Sequence, residues 1–301
     1  MRTARAPRIG MIGLLTAGVA AVVAAVVLLA GGGSANHPGS GRKLTWAPPH
    51  LSAPQKVEVT SANSSLTLDP KRDYVVKLPG HALSLPNGVS INGGHNVVIV
   101  GGQIVVPKSA PNAKPGSTGR GLFIGNQTGT VHVEGLRLSG PGLTEGIDLA
   151  QPAGATVQLE NVRVDEILYP ASLKTHPDVI QTWAGPQELR VDGLTATTHY
   201  QGLFLHPEQF GKVPVRMFDL RNVDITGLAR SAYLLWEATP FPHRATNVWV
   251  HNSIRRPARF ELWPTAKAWP GVRIAPPPGD AAAKVTAAGA GYRSPGYLRS
   301  P

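Results

Sequence analysis

The stretch TVQLENVRVD, residues 156–165, decides the fold. Val157 and Leu159 alternate with polar neighbours, Asn161 interrupts, and Val162 and Val164 resume the alternation on its far side. Alternation with a period of two marks a strand with one buried face. Two such strands meeting at one residue require a sharp bend, and Asn, like Gly, readily enters the left-handed conformation that makes one. The same pattern recurs in NVVIVGGQIV (96–105), TVHVEGLRLS (130–139), ELRVDGLTAT (188–197), MFDLRNVDIT (217–226) and NVWVHNSIRR (247–256). Aligned, the bend residues are Gly101, Gly135, Asn161, Gly193, Asn222 and Asn252, separated by 34, 26, 32, 29 and 30 positions. A repeat of this length indicates a solenoid, in which each coil covers the apolar edge of the next. The expected fold is therefore an all-β parallel β-helix of about six to eight coils.

A third strand precedes the pair in most coils: RGLFIGN, EGIDLAQ, DVIQTWA, QGLFLHP and SAYLLWE. If Leu122, Ile147, Ile180, Leu203 and Tyr233 face inward, alternation turns Phe123, Asp148, Gln181, Phe204 and Leu234 outward. A second outward column holds Gly125, Ala150, Trp183, His206 and Trp236. Solvated sheet faces do not need such aromatics, and aromatic anchors beside convergent polar groups suit a sugar-binding groove. The candidate binding residues are Gln181, Trp183, Tyr200, Phe204, His206, Trp236 and Glu237. Insertions flank this strand and spare the bend, as expected of a binding face. The competing reading packs Trp183 and Trp236 beneath those loops as a satellite core.

Catalytic candidates cluster around KTHPDVIQTW. Glu145, Asp178 and Gln201 fall at the strand entry in successive coils, and His176 and His199 each precede it by two residues. Stacking would bring His176 near His199, where a carboxylate can hold an imidazole in its basic tautomer. In a lyase, His176, or else His199 or Tyr200, would remove the proton beside a uronate carboxylate, with Lys174 or calcium stabilising the charge. In a hydrolase, Asp178 would act with Asp148 or Glu237. The bland alternative is that His176 and Asp178 cap a turn. A second acidic row, Glu134, Glu160 and Asp192, precedes the bends. Calcium would suit its oxygens, but neutralisation by Arg137, Arg163 and Arg190 is the preferred reading. No zinc or iron pattern, phosphate loop or G-x-S-x-G elbow is present.

The 301-residue chain has no Cys, 34 Gly and 28 Pro, and a formal net charge of +11. Without Cys, neither a disulfide nor a thiol nucleophile is available. The basic balance suits an acidic polysaccharide; nucleic acid is disfavoured because the Lys and Arg are scattered. Residues 1–8 form a basic n-region and 9–30 an uncharged run, read as either a signal peptide or a transmembrane anchor helix. Residues 31–56 read as a flexible linker, 57–256 as the β-helix and 257–301 as an irregular cap or tail. The expected protein is exported, probes no nucleic acid, and is monomeric.

The repeated coils resemble the pectate-lyase-like superfamily of right-handed parallel β-helices over residues 57–256. HPDVIQTW (176–183) is similar to the H-x-D-x-(I/L)-Q strand of some exported bacterial members, which marks His176, Asp178 and Gln181. The resemblance implies a polysaccharide-directed fold. The adjacent Asp pair and Gly-His-Gly of polygalacturonases are absent, as is the R-x-P-x-x-R of pectate lyases, so an enzyme and a non-catalytic envelope glycan-binding or structural solenoid protein both stay open.

Overall fold

The computed structural model describes residues 43–108, 119–170, 176–229, 231–255, 257, 260–279, 285 and 287–298. The expected n-region and hydrophobic segment, and Lys174, lie outside the described residues. Among the described residues no helix is long and apolar enough to cross a membrane.

The chain is all-β, with its strands in two long parallel sheets. Twelve described strands form a bend sheet, whose backbone path runs from Gln55–Glu58 through Thr130–Glu134, Thr156–Ile167, Glu188–Thr198, Met217–Gly227 and His243–Asn252 to Val272–Ile274. Eight form the second sheet, which includes Val89–Gly93, Arg120–Gly125, Glu145–Ala150, Asp178–Ala184, Gln201–Leu205, Leu235–Glu237 and Leu262–Trp263. The chain passes back and forth between the two sheets, in the early coils with two consecutive strands in the bend sheet, and the strands pair in parallel with their counterparts one repeat away. This arrangement fits a parallel β-helix.

The reason lies in the alternation. Val131 pairs with Val157 and Val157 with Leu189, and all three are fully buried. Beyond the bend, Val162, Leu194 and Val223 form an equally buried column. Each such side chain contributes roughly 1.5–3 kcal/mol on leaving water, and no disulfide contributes. The bends are left-handed as expected at Gly101, Gly135, Asn161, Gly193 and Asn222, with φ of 71°, 66°, 52°, 77° and 51°.

The last bend is Asn247, not Asn252. Its φ is 55°, Val223 pairs with Val248, and Asn247 Nδ2 donates to Asn222 Oδ1 at 2.8 Å. NVWVHN has an Asn at each end, so alternation fits either choice. The first strand of that coil is the polar HRAT (243–246), which carries little strand signal of its own.

Both ends of the expected domain move. Residues 43–56 are not a free linker: Leu44 is buried and bridges Tyr297, and Gln55 already pairs with Tyr74. Residues 262–263 and 272–274 are strands that extend the two sheets, rather than part of an irregular cap.

These terminal segments resolve the row Glu134–Glu160–Asp192. Its members are in register and none is solvent-exposed. The arginines do not neutralise it. Arg137 and Arg163 both reach Asp165, at 2.6 Å each, and Arg190 reaches Glu188 at 2.7 Å, because residues on adjacent same-face positions lie closer than the carboxyls before the bend. Donors come instead from the termini. Glu160 accepts from the backbone N–H of Thr45 and Trp46 at 3.1 and 3.0 Å. Asp192 accepts from the Thr45 hydroxyl and Asn222 Nδ2. Glu134 accepts from the hydroxyls of Tyr292 and Tyr297. Burial pushes Glu160 up to about 9, helped by Asp192 and Glu134. Burial also acts on Glu134, but hydrogen bonds from His132, Tyr292 and Tyr297 outweigh it and hold this carboxyl below its ordinary range. Gly135 has a second reason to be glycine: a side chain there would run into the Tyr292 ring.

Candidate functional site

The second sheet builds the site through a break in its alternation. Leu122, Ile147, Ile180, Leu203 and Leu235 pair in register and are buried. The preceding residue is also turned inward. A Cβ on Gly121 would come 2.8 Å from Leu138 Cδ1, one on Gly146 would come 3.4 Å from Val164 Cγ1, and Val179 and Leu234 belong to the core. Two successive inward positions act as a bulge. They swing the entry residues Arg120, Glu145, Asp178 and Gln201 to the side that carries Phe123, Asp148, Gln181 and Phe204.

The outer face therefore has two neighbouring columns. The entry column runs Arg120, Glu145, Asp178, Gln201, with Arg120 paired to Glu145 and Asp178 to Gln201. The strand column runs Ser90, Phe123, Asp148, Gln181, Phe204, Trp236, Trp263. Two expectations are corrected here. Leu203 pairs with Leu235 rather than Tyr233, so Trp236 rather than Leu234 stands over Phe204. Trp183 sits at a register shift between the 145–150 and 178–184 strands, so it is not aligned with Ala150.

Asp148 lies within electrostatic reach of Asp178, and neither has exposed surface. Arg120 donates from Nε to Asp148 and from an Nη to Glu145, the latter at 3.0 Å. The guanidinium also lies 5.5 and 5.1 Å from the ring centroids of Phe123 and Trp183. Burial drives Asp148 well above its ordinary value, with Glu145 adding and Arg120 opposing. Asp178 is driven well above as well, by burial and then by Asp148 and Glu145. Among the described residues, neither Asp178 oxygen has a hydrogen-bond partner, and neither do Asp148 Oδ1 and Gln201 Oε1. Such buried orphans are uncommon and each calls for an explanation.

The aromatic groups surround these acids. Phe204 and Trp236 stack face to face at 4.0 Å and 6°, so each covers one face of the other. Trp183 meets Phe210 edge-on at 5.9 Å; Phe210 is 70% exposed, on the insertion after the strand. That contact gives the satellite-core reading part of its due. Gln181 Nε2 donates to Gln209 Oε1 at 3.3 Å in the same insertion. The His206 ring stands edge-on to Phe204 and Trp236, and burial lowers its pKa. Tyr200 stacks on Tyr169 at 4.6 Å; burial, Tyr169 and Asp178 raise its hydroxyl.

Two candidates lie elsewhere than expected. His176, exposed, meets Tyr200 at 5.8 Å and Phe204 at 6.3 Å, while His199 is held by Glu166 at 2.8 Å. The Tyr200 ring takes the place beside His176 that stacking assigned to His199. Glu237 pairs with the inward Leu205, and lies 3.7 Å from the buried His243 Nδ1. It belongs to the interior of the last coils, because it lies two residues beyond the inward Leu235 and so shares its face. Sequence reasoning passed over Arg120 and Tyr169. Arg120 had one signal, since it heads its strand where Glu145 and Asp178 head theirs. Among the described residues no group of three His, Asp or Glu side chains is placed to hold a metal ion.

Fold and site together define a parallel all-β chain that fits a β-helix and bears an acid row beside stacked aromatics on one outer face. No family model, curated protein or solved structure matches this chain.

Proposed function

We propose that this chain is an exported right-handed parallel β-helix of the pectate-lyase-like kind, which binds polysaccharide along the outer face of the second sheet. The observation that supports the reading is the buried polar row around Asp178 running beside the column Phe204–Trp236–Trp263. The accessible part of that face is the aromatic column, with Trp263 40% exposed, and such rings offer planes for the apolar C–H faces of sugars. Affinity electrophoresis of the full chain against a panel of wall and storage polysaccharides tests it. Retardation by at least one glycan, reduced by Trp236→Ala, is expected. No retardation by any member of the panel removes the proposal.

A second reading, hydrolysis, is favoured by one observation: Asp178 stands beside further carboxyls, and burial, then Asp148 and Glu145, raise its pKa well above the ordinary carboxyl range. A carboxyl shifted in this direction suits a general acid, with Asp148 or Glu145 as its partner. New reducing ends that disappear in Asp178→Asn would establish cleavage, and binding without them would leave the protein a binder. Absorbance from an unsaturated product would mark elimination instead.

A further inference from the structure

The bend sheet carries arginines on the outer face of its last coils. Arg190 pairs with Asp219 and Asp219 with Arg244, while Asp192 pairs with Arg221 and Trp249 with Arg273. Arg216 directly precedes the strand that holds Arg221. Arginines thus stand on four successive strands of the sheet, spaced ~4.8 Å apart. They are within reach of a ligand. The Arg216 and Arg244 side chains are 62% and 59% exposed, those of Arg190 and Arg221 33% and 29%, and Arg273 is exposed as well.

Acceptors for them are few. Glu188 is shared by Arg190 and Arg216, at 2.7 Å each. Asp219 meets Arg221 at 2.7 Å, and Arg244 stands 3.9 Å from it, too far for a hydrogen bond. The Gln158 amide oxygen, turned towards Arg190 Nη1, lies 3.0 Å away. Asp192 and Asp224 share the face but are buried, and Glu160 holds its proton up to about pH 9. Arg273 forms no ion pair among the described residues, and its guanidinium lies 4.7 Å from the Trp249 ring centroid. Arg221 lies likewise 5.0 Å from Trp46. Each guanidinium has five N–H donors, so most of those at the surface stay open. Stacking and ion pairing also fix their planes, which lowers the ordering cost of binding. A guanidinium fork matches a carboxylate. Repetition from strand to strand suits a stiff chain with a carboxylate on each sugar, whereas mobile lipid headgroups gain nothing from fixed spacing.

We propose that the bend sheet binds a polyuronate along Arg190, Arg216, Arg221, Arg244 and Arg273, at a site separate from the aromatic column of the second sheet. Isothermal titration of the full chain compares a uronate hexamer, the same hexamer with its carboxyls reduced to alcohols, and phosphatidylglycerol vesicles. At low salt the uronate hexamer is expected to bind at least about tenfold more tightly than the reduced one. High ionic strength should remove most of that advantage, because exposed charges are screened. Arg216→Gln combined with Arg244→Gln is expected to weaken uronate binding at least about tenfold, with thermal unfolding unchanged. Uronate binding that ignores salt would overturn the proposal whatever the double variant does. Binding kept in the double variant but lost in Trp236→Ala would overturn this site and leave the glycan-binding reading standing. Tighter binding of the vesicles through the same arginines would overturn the polysaccharide assignment. No binding of either hexamer would overturn the proposal, and the glycan-binding reading falls with it only if the wider polysaccharide panel is also negative.

Discussion

The bend row Glu134–Glu160–Asp192 and the outer row Glu145–Asp148–Asp178 are both stacks of carboxyls one strand apart, and both are largely or wholly withdrawn from water. They differ in what meets them. The bend row receives two backbone N–H groups and three hydroxyls from the segments around Thr45 and Tyr292–Tyr297, which are themselves joined where Leu44 bridges Tyr297, and an amide from Asn222 in the next coil. The outer row receives one arginine, shared between Asp148 and Glu145, and among the described residues no donor is bonded to Asp178. Stacked acids are costly wherever they occur, so satisfied and unsatisfied rows carry different meanings. The first fastens the termini to the body of the fold. The second leaves Asp178 without a hydrogen-bond donor among the described residues.

The largest effect that would break this contrast is expected at the bend row. Replacing Tyr292 and Tyr297 together by Phe removes both hydroxyl donors from a buried carboxylate, which should destabilise the protein by about 3–5 kcal/mol. Urea unfolding at neutral pH measures it, and a loss under 1 kcal/mol would mean the clasp is not structural.

The pH dependence of stability sharpens the same point. Glu160 has a folded pKa of about 9, above its unfolded value. Its contribution is therefore fully present below the unfolded pKa and is lost as pH rises towards 9. Glu134, shifted the other way, contributes above its unfolded pKa and loses that contribution as pH falls through the folded one. Charged groups acting on Glu160 include Asp192 and Glu134, with Arg221 opposing them. The melting temperature should thus decline from about pH 5 to pH 9, and Glu160→Gln should flatten that limb while leaving the acid limb in place.

At the outer row the sign reverses. Asp178→Leu deletes an unpartnered buried acid, and stability should stay level or rise by about 1 kcal/mol, at the expense of ligand binding. A loss above 2 kcal/mol would mean Asp178 is structural after all. The smallest effect is expected at Arg163→Ala. Its partner Asp165 is half-exposed and is also held by Arg137, so the change should stay within about 0.5 kcal/mol.

Much of the fold was legible because a solenoid writes its period into the chain. Five of six bends stood at the residues that alternation picked out, and the buried columns on either side followed. The last bend misled because Asn247 and Asn252 both satisfy the pattern, and only pairing with the preceding coil separates them. On the outer face, strict alternation placed Phe123, Asp148, Gln181 and Phe204 correctly. It misplaced Tyr233, since a bulge shifts register without any local signature beyond a small residue such as Gly121 or Gly146; Glu237 was a candidate for its carboxyl alone, and alternation puts it on the inward face where it is found. Arg120 was overlooked for another reason. An arginine at a strand entry is ordinary until its two carboxylate partners, 25 and 28 residues onward, are stacked beside it.

Local chemistry thus determined the strands, the left-handed bends and the inward apolar columns, because each depends on residues within one coil. Tertiary structure alone decided which carboxyls were satisfied. Thr45 reaches Asp192 across 147 residues and Tyr297 reaches Glu134 across 163, while no donor among the described residues bonds Asp178. Hydrogen-bond satisfaction depends on which groups meet in space, and no periodicity in a sequence encodes where its ends will lie.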